Sequence, residues 1–330
     1  MTEIRAIITG TGNYLPEKVL TNEDLEKLVD TSDEWITKRT GIKTRRIAAE
    51  GETTSDMATA ACKLALENAD VDAKDVDLVI TATFTGDRPL PATACIIQDK
   101  IGATNAGAFD LAAACSGFIY GMSCAWGFIR SGIYRNVLVV GAEKLTTFTD
   151  YTDRTSCILF GDGAGAALLQ ADESGTDRGI MTCNLGSDGS GADLMTIFAG
   201  GSERGTTEDT LKNREHFMVI RGREVFKFAA NKMREEVAFS VKACGLTMED
   251  VRLVVPHQVN TRILEFAAAK LNLPTEKMYT NIDRVANTSA ASVPIALHEA
   301  NEKGLLRSGD IVVLVGFGGG LTWASMTLRW

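Results

Sequence analysis

The sequence predicts an α/β protein of two related lobes, each built on a mainly parallel sheet covered by helices. Three observations carry this. The chain has 330 residues, about twice the commonest domain size. Helix and strand patterns alternate along it, which favours sheets with helices on both faces. Two segments also recur in order at one offset. KDVDLVI at 74–80 returns as EDVRLVV at 249–255, and VLVVG at 137–141 returns as VVLVG at 312–316, each 175 residues on. Two matches at one spacing mark an internal duplication. Its junction falls between 170 and 180, giving lobes at 1–175 and 176–330.

The elements follow in order. Residues 5–10 read as a strand and 11–13 as a turn. Over 54–69, Met57, Ala61, Leu64, Ala65 and Asn68 recur on one helical face. Thr53 with Asp56 three residues on forms a capping-box pattern at its start. Residues 78–82, 108–111 and 137–140 read as strands. The nineteen residues 111–129 carry no charge, long enough by count to span a bilayer. Their glycines, alanines and serines leave them only mildly apolar, so they read as a helix buried inside the protein, with no membrane insertion. Residues 187–216 interrupt the pattern with Gly, Ser, Thr and charge, as a surface loop or as a lid or entrance rim.

Composition narrows the function. Apolar residues are 45% and charged residues 23%, which excludes wholesale disorder. Lys and Arg number 34 against 43 Asp and Glu, a net charge of -9, with no basic–aromatic stripe for nucleic acid. Seven loosely spaced cysteines without a CxxC pair, and only three histidines, suit neither a disulfide framework nor a metal centre. A reducing, cytoplasmic setting fits them. Glu3 and the short apolar run after it do not make a secretory leader.

Cys115, in AAACSGF after a strand, is the strongest nucleophile candidate. A thiol opening a helix gains thiolate character from the unpaired amides there; the bland reading is a buried cysteine acting as a small hydrophobe. His257 follows an apolar strand in RLVVPHQVN, at the carboxyl end where open α/β sheets place reacting groups. It serves as proton donor or acceptor, or ties down a loop. Asn287 in RVANTSAAS supplies an amide donor to a carbonyl gaining charge, or caps a turn. His216 and His298 have weaker contexts. Gly318, Gly319 and Gly320 after VVLVGF leave backbone amides unobstructed, without the Lys and Ser/Thr of a P-loop.

DTSDEWITKRTGI, DLAAACSGF, VPHQVN, NTSAAS and FGGG occur in one order over nearly the whole chain. In this the chain resembles the 3-oxoacyl-(acyl-carrier-protein) synthase III family of thiolase-fold condensing enzymes. The resemblance implies a five-layered α/β/α/β/α fold of two duplicated halves and a homodimer. It implies decarboxylative condensation of a short acyl-CoA primer with malonyl-acyl carrier protein, opening type II fatty-acid synthesis, with no metal or redox cofactor. By the same likeness Cys115 is the acylated nucleophile, His257 and Asn287 its catalytic companions, and the Cys115 and Gly318 amides the oxyanion site. Trp35, Arg39 and Arg154 correspond to coenzyme A contacts, and Gly222 and Asn260 to the pantetheine channel. Leu90 and Phe160 correspond to acyl-pocket positions, Leu90 near the dimer seam. Lys227, Arg262 and Lys270 correspond to carrier-protein contacts. A condensing enzyme or acyltransferase of secondary metabolism, and a non-catalytic coenzyme A or carrier-binding module, are the alternatives.

Overall fold

The computed structural model describes residues 4–330. Two sheets form its frame. The first runs Arg5–Tyr14, Gly163–Asp172, Asn136–Glu143, Leu78–Ala82, Gly107–Leu111; the second runs Val251–Pro256, Ile311–Gly318, Thr322–Arg329, Gly179–Ser187. The duplicated segments occupy matching places. Leu78 pairs in parallel with Val137 and Ile80 with Val139; 175 residues on, Leu253 pairs in parallel with Val312 and Val255 with Leu314.

The sheets are mixed, not mainly parallel. Only Asn136–Glu143, Leu78–Ala82 and Gly107–Leu111 in the first sheet, and Val251–Pro256 with Ile311–Gly318 in the second, run parallel. The remaining pairings in these sheets are antiparallel. The reason is that helices cover both faces, so antiparallel strands such as Gly163–Asp172 are also apolar on both sides and lack the alternation that would betray them. Between Ile311–Gly318 and Thr322–Arg329 only residues 319–321 intervene, too few for the crossover a parallel pair needs.

Strand alternation sorts the core into layers. Val79, Leu138, Val140 and Leu168 face outward onto Met57, Ala61 and Ile97 of helices Thr54–Ala69 and Thr93–Ile101. Their neighbours Ile80, Val139 and Leu169 face inward onto Phe118 and Met122 of Gly117–Arg130 and Val293 and Leu297 of Ser292–Glu302. Leu253, Val255, Leu314 and Met326 of the second sheet meet the same two helices from the other side. Val254, Val313 and Val315 face outward onto Gly222–Ala243 and Thr261–Lys270. The order is α/β/α/β/α. Of the uncharged stretch 111–129, Leu111 ends a strand, Ala114–Ser116 is a short turn and only the part from Gly117 on lies in the central helix Gly117–Arg130. No helix among the described residues is long and apolar enough to cross a membrane.

One local expectation fails. The first strand does not turn at 11–13 but continues to Tyr14. Its glycines serve close approach instead: a Cβ at Gly10 would lie 2.1 Å from Ala65 O, and one at Gly12 2.2 Å from Ala61 O. The helix pressed against them is Thr54–Ala69, whose Thr53–Asp56 capping box forms as expected.

Candidate active site

The ends of both parallel strand pairs converge on one region. Cys115 lies in the short turn Ala114–Ser116, between strand Gly107–Leu111 and the central helix. Thr322 Oγ1 donates to Ala113 O at 2.9 Å and accepts from Ser116 Oγ at 2.8 Å, pinning the turn to the second sheet. Cys115 precedes the helix rather than opening it and is 5% exposed. Burial therefore overrides the expected thiolate. Loss of hydration, with the Glu143 charge adding to it, pushes the thiol up to about 12, against the pull of a hydrogen bond from Ser289. At neutral pH the sulfur is a thiol.

His257 directly follows Val251–Pro256, and its N–H donates to Val315 O at 2.8 Å, extending the ladder by one residue. The ring meets Phe317 edge-on, 5.6 Å between centroids. Burial pushes its pKa down to about 3, so the imidazole is neutral. Its Nδ1 has no hydrogen-bond partner.

The Ile311–Gly318 strand binds both groups. While Val315 holds His257, a Cβ at Gly318 would fall 2.6 Å from Cys115 N and one at Gly316 3.1 Å from Cys115 O. Only residues without a side chain let the strand end press this closely against the Cys115 backbone.

Asn287 enters by a different route. Its N–H donates to Leu159 O and its O accepts from Gly161 N, both at 3.0 Å, tying it beside Phe160. The side chain is a turn residue, as the bland reading held, because Oδ1 accepts from Ser289 N at 2.9 Å. That bond also fixes the amide's orientation: with the oxygen engaged, the nitrogen remains as the donor.

Cys115 and Asn287 each line one of two adjoining cavities. The smaller, about 170 Å³, is lined by Phe84, Cys115, Leu145, Phe160, Met218 and Ser289 among others. The larger cleft, about 700 Å³, is lined by Trp35, Arg39, Arg154, Gly222, Asn260, Arg262 and Asn287 among others. Phe160 and Met195 wall both. His257, 1% exposed, lines neither. Met195, Thr196 and Ile197 of the 187–216 insertion form part of the smaller cavity.

The cleft residues form a connected rim. The Arg39 and Arg154 guanidinium carbons each lie 4.9 Å from the Trp35 ring centroid. Asn260 donates to Arg39 O at 2.9 Å and caps helix Thr261–Lys270, accepting from Arg262 N. Gly222 opens the neighbouring helix Gly222–Ala243. Lys227, Arg262 and Lys270 are exposed; only Arg262 of the three borders the cleft. Leu90, on the loop after Leu78–Ala82, is 84% exposed and lines neither cavity of its own chain. His298 is structural, its Nδ1 3.1 Å from Thr11 Oγ1.

Sequence reasoning missed Glu143 and Ser289. Glu143 is fully buried and accepts from Thr85 Oγ1 at 2.6 Å and Thr83 Oγ1 at 3.2 Å, and from Ser289 Oγ at 3.2 Å. An acid closing the apolar run NVLVVGAE was the available signal.

A thiol in an apolar cavity that adjoins a cationic cleft carrying an amide, and an imidazole held by the strand that packs on the thiol's backbone, sit on the frame of a thiolase-fold condensing enzyme. Residues 109–189 match the family described as "3-Oxoacyl-[acyl-carrier-protein (ACP)] synthase III", and 241–330 match its C-terminal counterpart. The beta-ketoacyl-(acyl-carrier-protein) synthase III of Caldanaerobacter subterraneus is 52% identical, with 99% of this chain and 98% of the relative covered. The crystal structure of 3-oxoacyl-(acyl-carrier-protein) synthase III from Aquifex aeolicus is 46% identical with a TM-score of 0.91, covering 98% of this chain and 100% of that one. A priming beta-ketosynthase from a polyketide biosynthetic pathway is 34% identical with a TM-score of 0.92, covering 100% and 97%. The chain belongs to the 3-oxoacyl-(acyl-carrier-protein) synthase III family, as an acyltransferase catalysing the initiating condensation of fatty-acid synthesis.

Proposed function

We propose that the condensation runs through an acyl-Cys115 intermediate formed from a short acyl-CoA and discharged by malonyl-acyl carrier protein. In the first half-reaction the Cys115 sulfur attacks the acyl thioester. A new carbon–sulfur bond forms, the bond to coenzyme A breaks, and the thiol proton leaves with coenzyme A. The amides of Cys115 and Gly318 serve the tetrahedral oxyanion. Because burial keeps the thiol protonated and His257 neutral, proton transfer accompanies attack instead of preceding it.

In the second half-reaction the malonyl group loses CO2, and the enolate oxygen takes hydrogen bonds from His257 and Asn287. The enolate carbon attacks the acyl carbonyl, the carbon–sulfur bond to Cys115 breaks, and the departing sulfur takes a proton from water. The product is a 3-oxoacyl thioester on the carrier protein. The thioester carbonyl supplies the electron sink, so no metal or redox cofactor is assigned a step.

The observation that carries this reading is the single strand that holds His257 at Val315 and packs Gly318 against the Cys115 amide. The small cavity and its Phe84, Leu145, Phe160 and Met218 walls suit a short straight or branched acyl chain. Trp35, Arg39 and Arg154 are assigned to the adenine end of coenzyme A, and Gly222 and Asn260 to pantetheine. Lys227, Arg262 and Lys270, on two packed helices, are assigned to the acidic carrier protein. The free edge of strand Gly107–Leu111 and the exposed Leu90 support a homodimer in which Leu90 reaches the partner's pocket. Seven free cysteines support the cytoplasm.

Intact mass spectrometry tests the sequence of events. Short acyl-CoA primers should add one acyl mass to Cys115, and malonyl-acyl carrier protein should remove it; Cys115→Ala should gain none. Acylation by long or aromatic primers alone would overturn the primer assignment, and no adduct with any primer would overturn the nucleophile.

A further inference from the structure

We propose that Glu143 is a positioning residue for the nucleophile: its protonation state decides whether the Ser289 hydroxyl donates its proton toward the Cys115 sulfur or away from it. The inference deepens the acyl-Cys115 reading and rests on it for its catalytic meaning. Its geometry is independent of that reading.

Ser289 stands at a junction. Its side chain shares the wall of the small cavity with Cys115 and favours the thiolate there, its Oγ donates to Glu143 Oε1 at 3.2 Å, and its N–H donates to Asn287 Oδ1 at 2.9 Å. A hydroxyl has one proton to donate and two lone pairs to accept with. When Glu143 is a carboxylate, it accepts that proton, and the sulfur loses a donor. When Glu143 carries a proton on Oε1, it donates to Ser289 Oγ instead, and the Ser289 proton is free to meet a developing thiolate. The proton ledger is closed: none is created, and one hydrogen bond reverses direction.

The other carboxylate oxygen stays fixed meanwhile. Oε2 accepts from Thr85 Oγ1 at 2.6 Å, Thr83 Oγ1 and Thr85 N at 3.2 Å, and Phe84 N at 3.4 Å. These four donors anchor the carboxyl group, so a change of charge does not swing it away from Ser289. The elements around Glu143 bring few charges to it. The 83–85 loop and the Ser289–Ala291 turn carry no titratable side chain, and the Ala114–Ser116 turn carries only Cys115. The adjacent Lys144 gives its ammonium to Glu52 O at 2.6 Å. Burial pushes Glu143 up to about 7, so both of its states are accessible in the neutral range.

The fold does not demand an acid here. Displaced by the 175-residue repeat, the position of Glu143 is that of Gly318, which presses on the Cys115 turn as Glu143 presses on the Ser289 turn. The second lobe closes its strand with no side chain at all; the first closes it with a carboxyl group.

The test reads Cys115 alkylation by iodoacetamide from pH 6 to 10, resolved by peptide mapping from exposed Cys95 and Cys124. Glu143→Gln, a permanently neutral group that donates to Ser289, should label Cys115 about tenfold faster than wild type at pH 8 and flatten the pH profile. In a Ser289→Ala background the same change should gain less than about threefold, since the relay is gone. Thr85→Val, which removes a donor to the carboxylate and favours its protonation, should also speed labelling if Glu143→Gln folds poorly. Rates matching wild type in both Glu143→Gln and Thr85→Val would overturn the proposal, as would an equal gain with and without Ser289. Labelling needs neither acyl-CoA nor carrier protein, so a failed primer panel would sink the condensing mechanism without touching this result.

Discussion

The two lobes repeat one device and use it differently. In each, a parallel strand pair ends against a short turn that feeds a central helix: Ala114–Ser116 before Gly117–Arg130, and Ser289–Ala291 before Ser292–Glu302. Both turns begin with a residue in the left-handed region, Ala114 at φ 45° and Ser289 at φ 49°. Each also lies against a glycine of the paired strand. A Cβ at Gly141 would be 2.2 Å from Ala290 O, and one at Gly316 3.1 Å from Cys115 O. The lobes thus grip each other's turns across the central layer. What differs is chemistry placed on equivalent positions. Cys115 answers to Ala290, His257 to Ala82, and Gly318 to Glu143. Two similar cradles therefore carry unlike groups.

If the division is real, its two sides separate kinetically. His257→Ala and Asn287→Ala each remove a donor that the proposed second half-reaction uses, and condensation should fall by about 10²–10³-fold. Acylation of Cys115 by acyl-CoA should change far less, within about threefold. Stopped acylation in either variant, measured as the adduct mass before malonyl-acyl carrier protein is added, would merge the two roles and break the comparison.

The lobes' buried groups also oppose each other in stability, an effect on the order of 2 kcal/mol after discounting the full shifts. His257 drops from its ordinary 6.5 to about 3, so the unfolded chain binds more protons across that window and stability falls as pH falls through it. Glu143 rises from 4.5 to about 7, so the folded chain binds more protons between those values and stability falls as pH rises through them. Relative to wild type, Glu143→Gln should therefore gain stability from pH 5 to pH 8, whereas His257→Gln should gain from pH 8 to pH 5. Urea midpoints at both pH values check the signs. Parallel trends in the two variants would show that the groups do not carry opposite linkages.

Much of this arrangement was legible before any coordinates. The repeat at 175 residues predicted matching strand pairs, because identical hydrophobic runs at one spacing require identical neighbours. Cys115, His257 and Asn287 announced themselves by falling just past apolar strands or ahead of small-residue helices. Strand direction was not legible, since both faces of these sheets are covered and no alternation remains to read. The charge state of Cys115 was also hidden: its turn promised helix amides, while its desolvation depends on walls drawn from Phe84, Leu145 and Met218, far away in sequence. Glycines misled in a similar way. Gly12 fell in an expected turn, when the constraint it meets is a helix backbone on the far side of the strand.

The smallest expected effect lies at the cleft mouth, where first-lobe Trp35, Arg39 and Arg154 face second-lobe Gly222, Asn260 and Arg262. Two guanidinium groups stack on one indole, each contact worth about 0.5–1 kcal/mol at an exposed site. Trp35→Ala should raise KM for acyl-CoA about fivefold with kcat for acylation nearly unchanged, as expected for a group that binds substrate and transition state alike. The carrier protein delivers its thioester on a pantetheine arm without adenine, so the same variant should leave KM for malonyl-acyl carrier protein within about twofold. A matched rise in both constants would mean that Trp35 shapes the whole entrance. The first lobe would then have no separate claim on the coenzyme A end of the cleft.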